Sequence, residues 1–144
     1  MRIERDIMVP ARDAIGLATD LYLPDGADFR EMARALGSVV NYQAGAMVFR
    51  EGDPPSHMYM LLSGIVETSR NGRTIEQITP GNALGIVALL DDEPRTITAL
   101  ALENCELAII DRKRFRYMVE AVPNFVWYVM SELVGRLKAT NAAL

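Results

Sequence analysis

The 144-residue chain is 50% hydrophobic and 24% charged, enough apolar material to close one core and too much for a disordered chain. Its formal net charge of −4 gives no general attraction to a phosphate backbone or an anionic membrane, so either partner would need a local basic patch. Cys105 is the single cysteine, which excludes an internal disulfide and a two-cysteine metal clamp and fits a reducing compartment.

The N-terminal stretch MRIERDIMVPARD carries acidic residues and lacks the apolar core of a signal peptide, and no run of about 18 apolar residues occurs anywhere. A soluble, cytoplasmic protein without a membrane segment is expected. Residues 1–27 hold Pro10, Pro24 and a Pro-Asp-Gly turn, with alternation in LATDLYL that suggests a strand, and read as an extended arm of unknown role. Residues 28–144 read as one domain.

In DFREMARALG, Phe29, Met32, Ala33 and Leu36 fall on one helical face, with Asp28 as N-cap and Gly37 as the stop. From Val39 to about Asp111 the pattern switches to period two with turn punctuation, giving MVFR, MYMLLSG, IVETSR, RTIEQIT, TITALALE and ELAIID. Asn71-Gly72 between two alternating runs signals a hairpin, because both residues tolerate the positive φ of a type I′ turn. Short strands at this spacing imply a barrel or a jelly roll over about 38–110, in a mainly β domain flanked by helices.

Two helices follow over about 111–141. Asp111 is placed to cap RKRFRYMVEAV, and Pro123 suits the first turn of the last helix. There Val126, Val129, Met130, Leu133, Val134 and Leu137 recur at spacings of three and four, so one broad apolar face is expected to meet the roll, a ligand or a second copy in a homodimer.

The stretch from AGAMVFREGD through the β region to IIDRKRF resembles the cyclic nucleotide-binding domain of bacterial Crp/Fnr-type regulators, cyclic-nucleotide-gated channels and protein kinase A regulatory subunits. The similarity covers roughly residues 28–141 and implies the family's fold, an antiparallel β-roll of the jelly-roll kind, a double-stranded β-helix, with a short N-terminal helix and two C-terminal helices. Its marks are Gly45, EGD at 51–53, SG at 63–64, PG at 80–81, Gly85, ALL at 88–90 and PRT at 94–96, in family order and spacing. The resemblance implies a phosphate-binding cassette after Gly85, written F-G-E-x-A-L in the family, followed by P-R-[ST/A]. It also implies cAMP or cGMP as ligand, with no further cofactor and no metal.

A single helical turn beginning near Ile86 leaves its first N–H groups without intrahelical acceptors, so the main chain of Gly85, Ile86, Val87, Ala88 and Leu89 faces an incoming anion with donors. Arg95 adds a planar, permanently charged fork suited to two phosphate oxygens, and Thr96 adds a hydroxyl. Ile86 departs from the family, which has there the glutamate that accepts from the ribose 2′-hydroxyl. Such a charged hydrogen bond is worth about 1.5–3 kcal/mol, and an unpaired hydroxyl costs about another 1–3 kcal/mol. Together these predict binding weaker by roughly a hundredfold or more. Leu84 in place of phenylalanine keeps an apolar residue, while Asp91, Asp92 and Glu93 read as solvated. By alignment with channel-type members, Arg136 falls where the closing helix presents a side chain to the purine; the other reading is a surface arginine.

His57 is the single histidine and reads as a turn or strand residue, DRKRFR as a solvated helix face, and the methionines as core fillers. IMVPARDAIGLATDLYLPDGA is similar to the N-terminal strands of cocaine esterase and X-Pro dipeptidyl-peptidase type hydrolases, but the one frame matching the glycines of a nucleophile elbow, 81–85, has Ala83 at its centre. No enzymatic activity is therefore expected.

Two functions remain. One is a small-ligand-binding regulatory module that signals to an unidentified effector protein. The other is a structural or protein-interaction domain that keeps the fold without the ligand. A helix-turn-helix would have to follow the last helix, and the sequence ends at Leu144, so no DNA-binding domain is expected.

Overall fold

The computed structural model describes residues 27–143, with side chains from Phe29 onward, so the arm expected over residues 1–27 lies outside the described residues. The chain runs α1 (Ala27–Leu36), β1 (Ser38–Tyr42), β2 (Met47–Phe49), β3 (His57–Ser63), β4 (Val66–Arg70), β5 (Arg73–Ile78) and β6 (Ala83–Leu84). It continues through α2 (Ile86–Asp91), β7 (Thr98–Ala101), β8 (Cys105–Asp111), α3 (Arg112–Ala121) and α4 (Phe125–Ala143). Helix α1 already includes Asp28, whose side chain is outside the described set, and Gly37 closes it by donating its N–H to Ala33 O at 2.8 Å.

The strands form two four-stranded antiparallel sheets, ordered β1-β8-β3-β6 and β2-β7-β4-β5, which is the expected roll. The β4–β5 hairpin turns at Asn71 and Gly72 with φ of 53° and 79°, the left-handed values that a type I′ turn demands. Between the sheets lie Phe49, Tyr59, Leu61, Val66, Ile78, Leu84 and Leu107.

A second apolar layer joins the outer face of the β3 and β8 sheet to the helices. Met58, Met60, Ala108 and Ile110 pack there against Phe29 and Ala33 of α1, Phe115 and Met118 of α3, and Phe125, Tyr128 and Val129 of α4. Strand β3 is thus buried on both faces, which explains why MYMLL reads as a continuous apolar run rather than a clean alternation. Phe125 sits at the centre, edge-on to Phe29 and Phe115 with centroids 5.6 and 5.9 Å away.

Asp111 caps α3 as expected, its carboxylate accepting from Arg114 N at 2.8 Å. The last helix differs from expectation in two respects. It starts at Phe125 because the chain reverses in the turn before it, where Asn124 takes a φ of 65°, so Pro123 lies in that turn instead of the first helical turn. Its apolar residues also divide over two faces. Phe125, Tyr128, Val129 and Leu133 pack inward, whereas Val126, Trp127, Met130, Val134 and Leu137 are exposed. The run of apolar residues at spacings of three and four concealed this division, since a stripe that wide reaches both sides of one helix.

Candidate ligand-binding site

Strand β6 leads into Gly85, and Gly85 into the six-residue helix α2. Gly85 has a φ of 81°, and a side chain there would collide with the Arg95 guanidinium. The position therefore requires glycine twice, for its backbone and for the close approach of the arginine. No side chain caps α2, so the first main-chain donors of the turn are left for other partners.

Arg95 turns inward and is only 4% exposed. Its NH1 donates to Gly85 O at 3.2 Å and its NH2 to His57 O, while the guanidinium lies over the Phe49 ring at 4.4 Å from the centroid. Its Nε is buried with no partner. Among the described residues no carboxylate makes an ion pair with it. Burial lowers its pKa, opposed electrostatically by Tyr59 and Asp53. A guanidinium held by two carbonyls and a ring has its geometry fixed without a carboxylate in direct contact among the described residues.

His57, at the start of β3, supports this arrangement through its carbonyl. Its ring is set between Ser56 Oγ at 2.7 Å and the Tyr59 hydroxyl at 2.9 Å. Burial first, and then the Arg95 charge, lower the imidazole pKa, with Asp111 opposing. Burial pushes the Tyr59 phenol up to about 12.

Arg95 lines a cavity of about 260 Å³, near the lower bound of about 300 Å³ usual for small-molecule pockets. Gly85, Val87, Ala88 and Thr96 line it from the same side. Apolar wall comes from Phe49, Ile75, Ile97, Leu133 and Leu137, and Arg136 and Thr140 contribute from α4. The roll and α4 therefore enclose one space, with the residues expected after Gly85 converging on it.

Two of the expected site residues point elsewhere. Ile86 is only 4% exposed and packs with Leu89 in the layer between the β3 sheet and the helices, and neither lines the cavity. In a single turn of helix, residues three apart share a face, so burying Leu89 carries Ile86 inward with it. Val87, 44% exposed, is the side chain that α2 turns toward the cavity. Among the expected residues of α2, Val87 and Ala88 line the cavity and Ile86 does not. Asp91, Asp92 and Glu93 are exposed and outside the cavity, and Asp92 pairs with Arg112 at 3.0 Å. Arg112, read as solvated, ties α3 to the end of α2 by also donating to Leu89 O at 3.1 Å.

Arg136 is not a plain surface residue. Its side chain is 22% exposed, its Nε donates to Glu76 Oε2 at 2.6 Å, and its NH1 donates to Ala83 O at 2.8 Å and to Glu132 Oε1 at 3.3 Å. Glu132 also accepts from Ala83 N at 2.8 Å, and the Tyr128 hydroxyl donates to Gly81 O at 2.6 Å. Burial raises the Glu132 pKa, opposed by the Ala83 N–H and by Arg136. These bonds fasten α4 to the segment that leads into Gly85.

Sequence reasoning missed Glu76, Tyr128 and Glu132. Glu76 shares strand parity with the buried Ile78, which puts a carboxylate on the inward face of β5, and Tyr128, Glu132 and Arg136 recur at intervals of four on one line of α4. Both signals are visible only once those elements have their bounds.

The cyclic nucleotide-binding domain model matches residues 39–121. The chain belongs to this family. A stretch of 98 residues is 31% identical to a cAMP-dependent protein kinase regulatory subunit of Aspergillus niger, covering 67% of this chain and 24% of that one. A stretch of 115 residues is 24% identical to the Pycsar effector protein XpPycTIR of Xanthomonas perforans, covering 79% of this chain and 38% of the effector. The matched regions thus make up well under half of either relative. Among solved structures, the Thermus thermophilus catabolite activator protein superposes with a TM-score of 0.69 at 26% identity, covering 83% of this chain and 57% of that one. Among the described residues no helix is long and apolar enough to cross a membrane.

Proposed function

We propose that this domain is a regulatory binding module whose cavity takes a small cyclic nucleotide, cAMP or cGMP, with the phosphate held by Arg95, by Thr96 and by the main chain of Gly85–Ala88. The observation that carries the reading is the buried Arg95 guanidinium, which lines the cavity with no carboxylate partner among the described residues. A charge buried in that state is costly, and an arriving phosphodiester monoanion supplies the missing countercharge along with two oxygens for the fork. Arg136 is already shared between two carboxylates, so Arg95 is the guanidinium lining the cavity that has no carboxylate contact among the described residues.

Binding acts on α4. Leu133, Arg136, Leu137 and Thr140 of that helix border the cavity, so a ligand that touches them alters the balance of helix positions, and an effector protein reads the change. A second copy of the chain fits the outer face of α4. Trp127, Met130, Val134 and Leu137 are exposed there at spacings of three, four and three, the repeat of a two-helix seam. In this reading the domain spans residues 28–144 with residues 1–27 as an arm, acts in the cytoplasm and does no chemistry itself.

Calorimetry with cAMP and with cGMP tests the reading on the wild type and on Arg95→Met. Micromolar or submillimolar binding by the wild type, weakened a hundredfold or more by Arg95→Met, is the expected result. Equal behaviour of the two proteins would overturn it and favour an interaction domain that has kept the fold without the ligand.

A further inference from the structure

The two charged walls of the cavity are opposite in hydrogen-bonding character. The Arg95 side offers a cation and main-chain donors. The β5 and α4 side carries two carboxylates, Glu76 and Glu132, for one guanidinium, Arg136. Of these carboxylates Glu132 accepts from Ala83 N and from Arg136 through the same oxygen, is buried, and does not line the cavity. Glu76 is different. Its side chain is 21% exposed, and it is the one carboxylate among the described residues lining the cavity. Arg136 meets it closely through Nε at 2.6 Å and at 3.4 Å through NH2, which leaves unused about two of the roughly four lone-pair positions of a carboxylate.

Helix α4 does not depend on Glu76 for its attachment. Tyr128 to Gly81 O, Glu132 to Ala83 N, and Arg136 to Ala83 O all persist if Glu76 turns away. Arg136 then keeps a carboxylate partner in Glu132.

Resting on the anion-site reading above, we propose that Glu76 reads the body of the ligand, accepting a hydrogen bond from one of its O–H or N–H groups while Arg95 holds its anionic end. The cavity thereby selects a molecule that is an anion at one end and a donor at the other. No carboxylate on α2 is required for this, because the acceptor stands on β5 instead. Two groups on a cyclic nucleotide have that chemistry, the ribose 2′-hydroxyl and the exocyclic amine of the base.

Titration calorimetry on the full chain separates these sources with three probes: cAMP, its 2′-deoxy analogue, and the purine riboside 3′,5′-cyclic monophosphate that lacks the amine. In the wild type the analogue missing the donor that Glu76 accepts is expected to bind roughly ten- to a hundredfold more weakly than cAMP. Glu76→Gln, which keeps the shape and loses the charge, is expected to shrink that ratio severalfold, and Glu76→Ala to abolish it. The ratio is internal to each protein, so a structural loss that weakens all three probes alike leaves it unchanged. Discrimination that survives intact in Glu76→Ala, or a wild type that binds all three equally, overturns the role of Glu76 even where Arg95→Met still abolishes binding. A wild type that binds none of the probes defeats the anion-site reading itself, and this inference with it.

Discussion

The two sides of the cavity use arginine in opposite ways. On the α2 side, Arg95 is nearly inaccessible and, among the described residues, carries no ion pair and has its Nε without a partner. On the α4 side, Arg136 is more exposed yet neutralised by Glu76 and Glu132. Burial alone would rank Arg95 as the structural residue and Arg136 as the one free to bind. Counting charges and unsatisfied donors reverses that ranking. A guanidinium with its charge unspent is what an anion needs, whereas one shared between carboxylates holds a helix in place.

Replacing each arginine by methionine, similar in volume and uncharged, probes that contrast most directly. Arg136→Met leaves two carboxylates facing each other with the Ala83 carbonyl unpaired, and is expected to cost about 2–3 kcal/mol, below the 3–5 kcal/mol of a fully buried pair because the site is partly wet. Arg95→Met removes a buried charge with no carboxylate contact among the described residues, leaves the Gly85 and His57 carbonyls without that donor, and is expected to cost less stability than Arg136→Met while weakening anion binding a hundredfold or more. Urea unfolding of both variants beside calorimetry reads the two effects separately. A large loss of stability in Arg95→Met would show that the arginine serves the fold first.

Placing a carboxylate on α2 sharpens the same contrast. Ile86→Glu buries its charge in the layer between β3 and the helices and is expected to destabilise by about 3 kcal/mol, whereas Val87→Glu is tolerated within about 1 kcal/mol. Thermal melts of the two variants decide it. Equal stability would mean that Ile86 is free to turn into the cavity.

The pH dependence of each side gives smaller effects. His57 titrates below its ordinary value near 6.5, so folding disfavours its protonated form. Stability is fully present above that value and falls as the pH drops through it toward the lower folded value. Melting temperatures between pH 7.5 and pH 5 are expected to decline less in His57→Gln than in the wild type. Arg95→Met should also flatten the decline, since it removes a charge that lowers the imidazole pKa.

Glu132 on the α4 side has the opposite sign. Its folded pKa is raised by burial, so its contribution is present below the ordinary carboxylate value and is lost as the pH rises through the folded one. Glu132→Gln is expected to raise the melting temperature slightly at pH 7 relative to the wild type and to leave it unchanged near pH 4. An equal gain at both pH values would assign the effect to packing.

Much of the α2 side could be read in one dimension and little of the α4 side. Gly85, Val87, Ala88, Arg95 and Thr96 lie within twelve residues, and the turn chemistry that brings them together is local. Glu76 and Arg136 are sixty residues apart, and the pairing of a strand with the last helix carries no short-range signature. For the same reason the sequence placed Arg136 only by alignment, and could not tell which side of α4 met the roll.

Strand alternation, the Asn71-Gly72 turn and the Asp111 cap determined a run of short strands closing as a barrel or a jelly roll, and its flanking helices, because each depends on neighbours a few residues away; the family marks narrowed this to the roll. The direction of a side chain depends on what packs over it. Tertiary packing alone decided that Ile86 enters the core while Val87 faces the cavity, that Arg95 keeps its charge, and that Arg136 gives its charge to two glutamates.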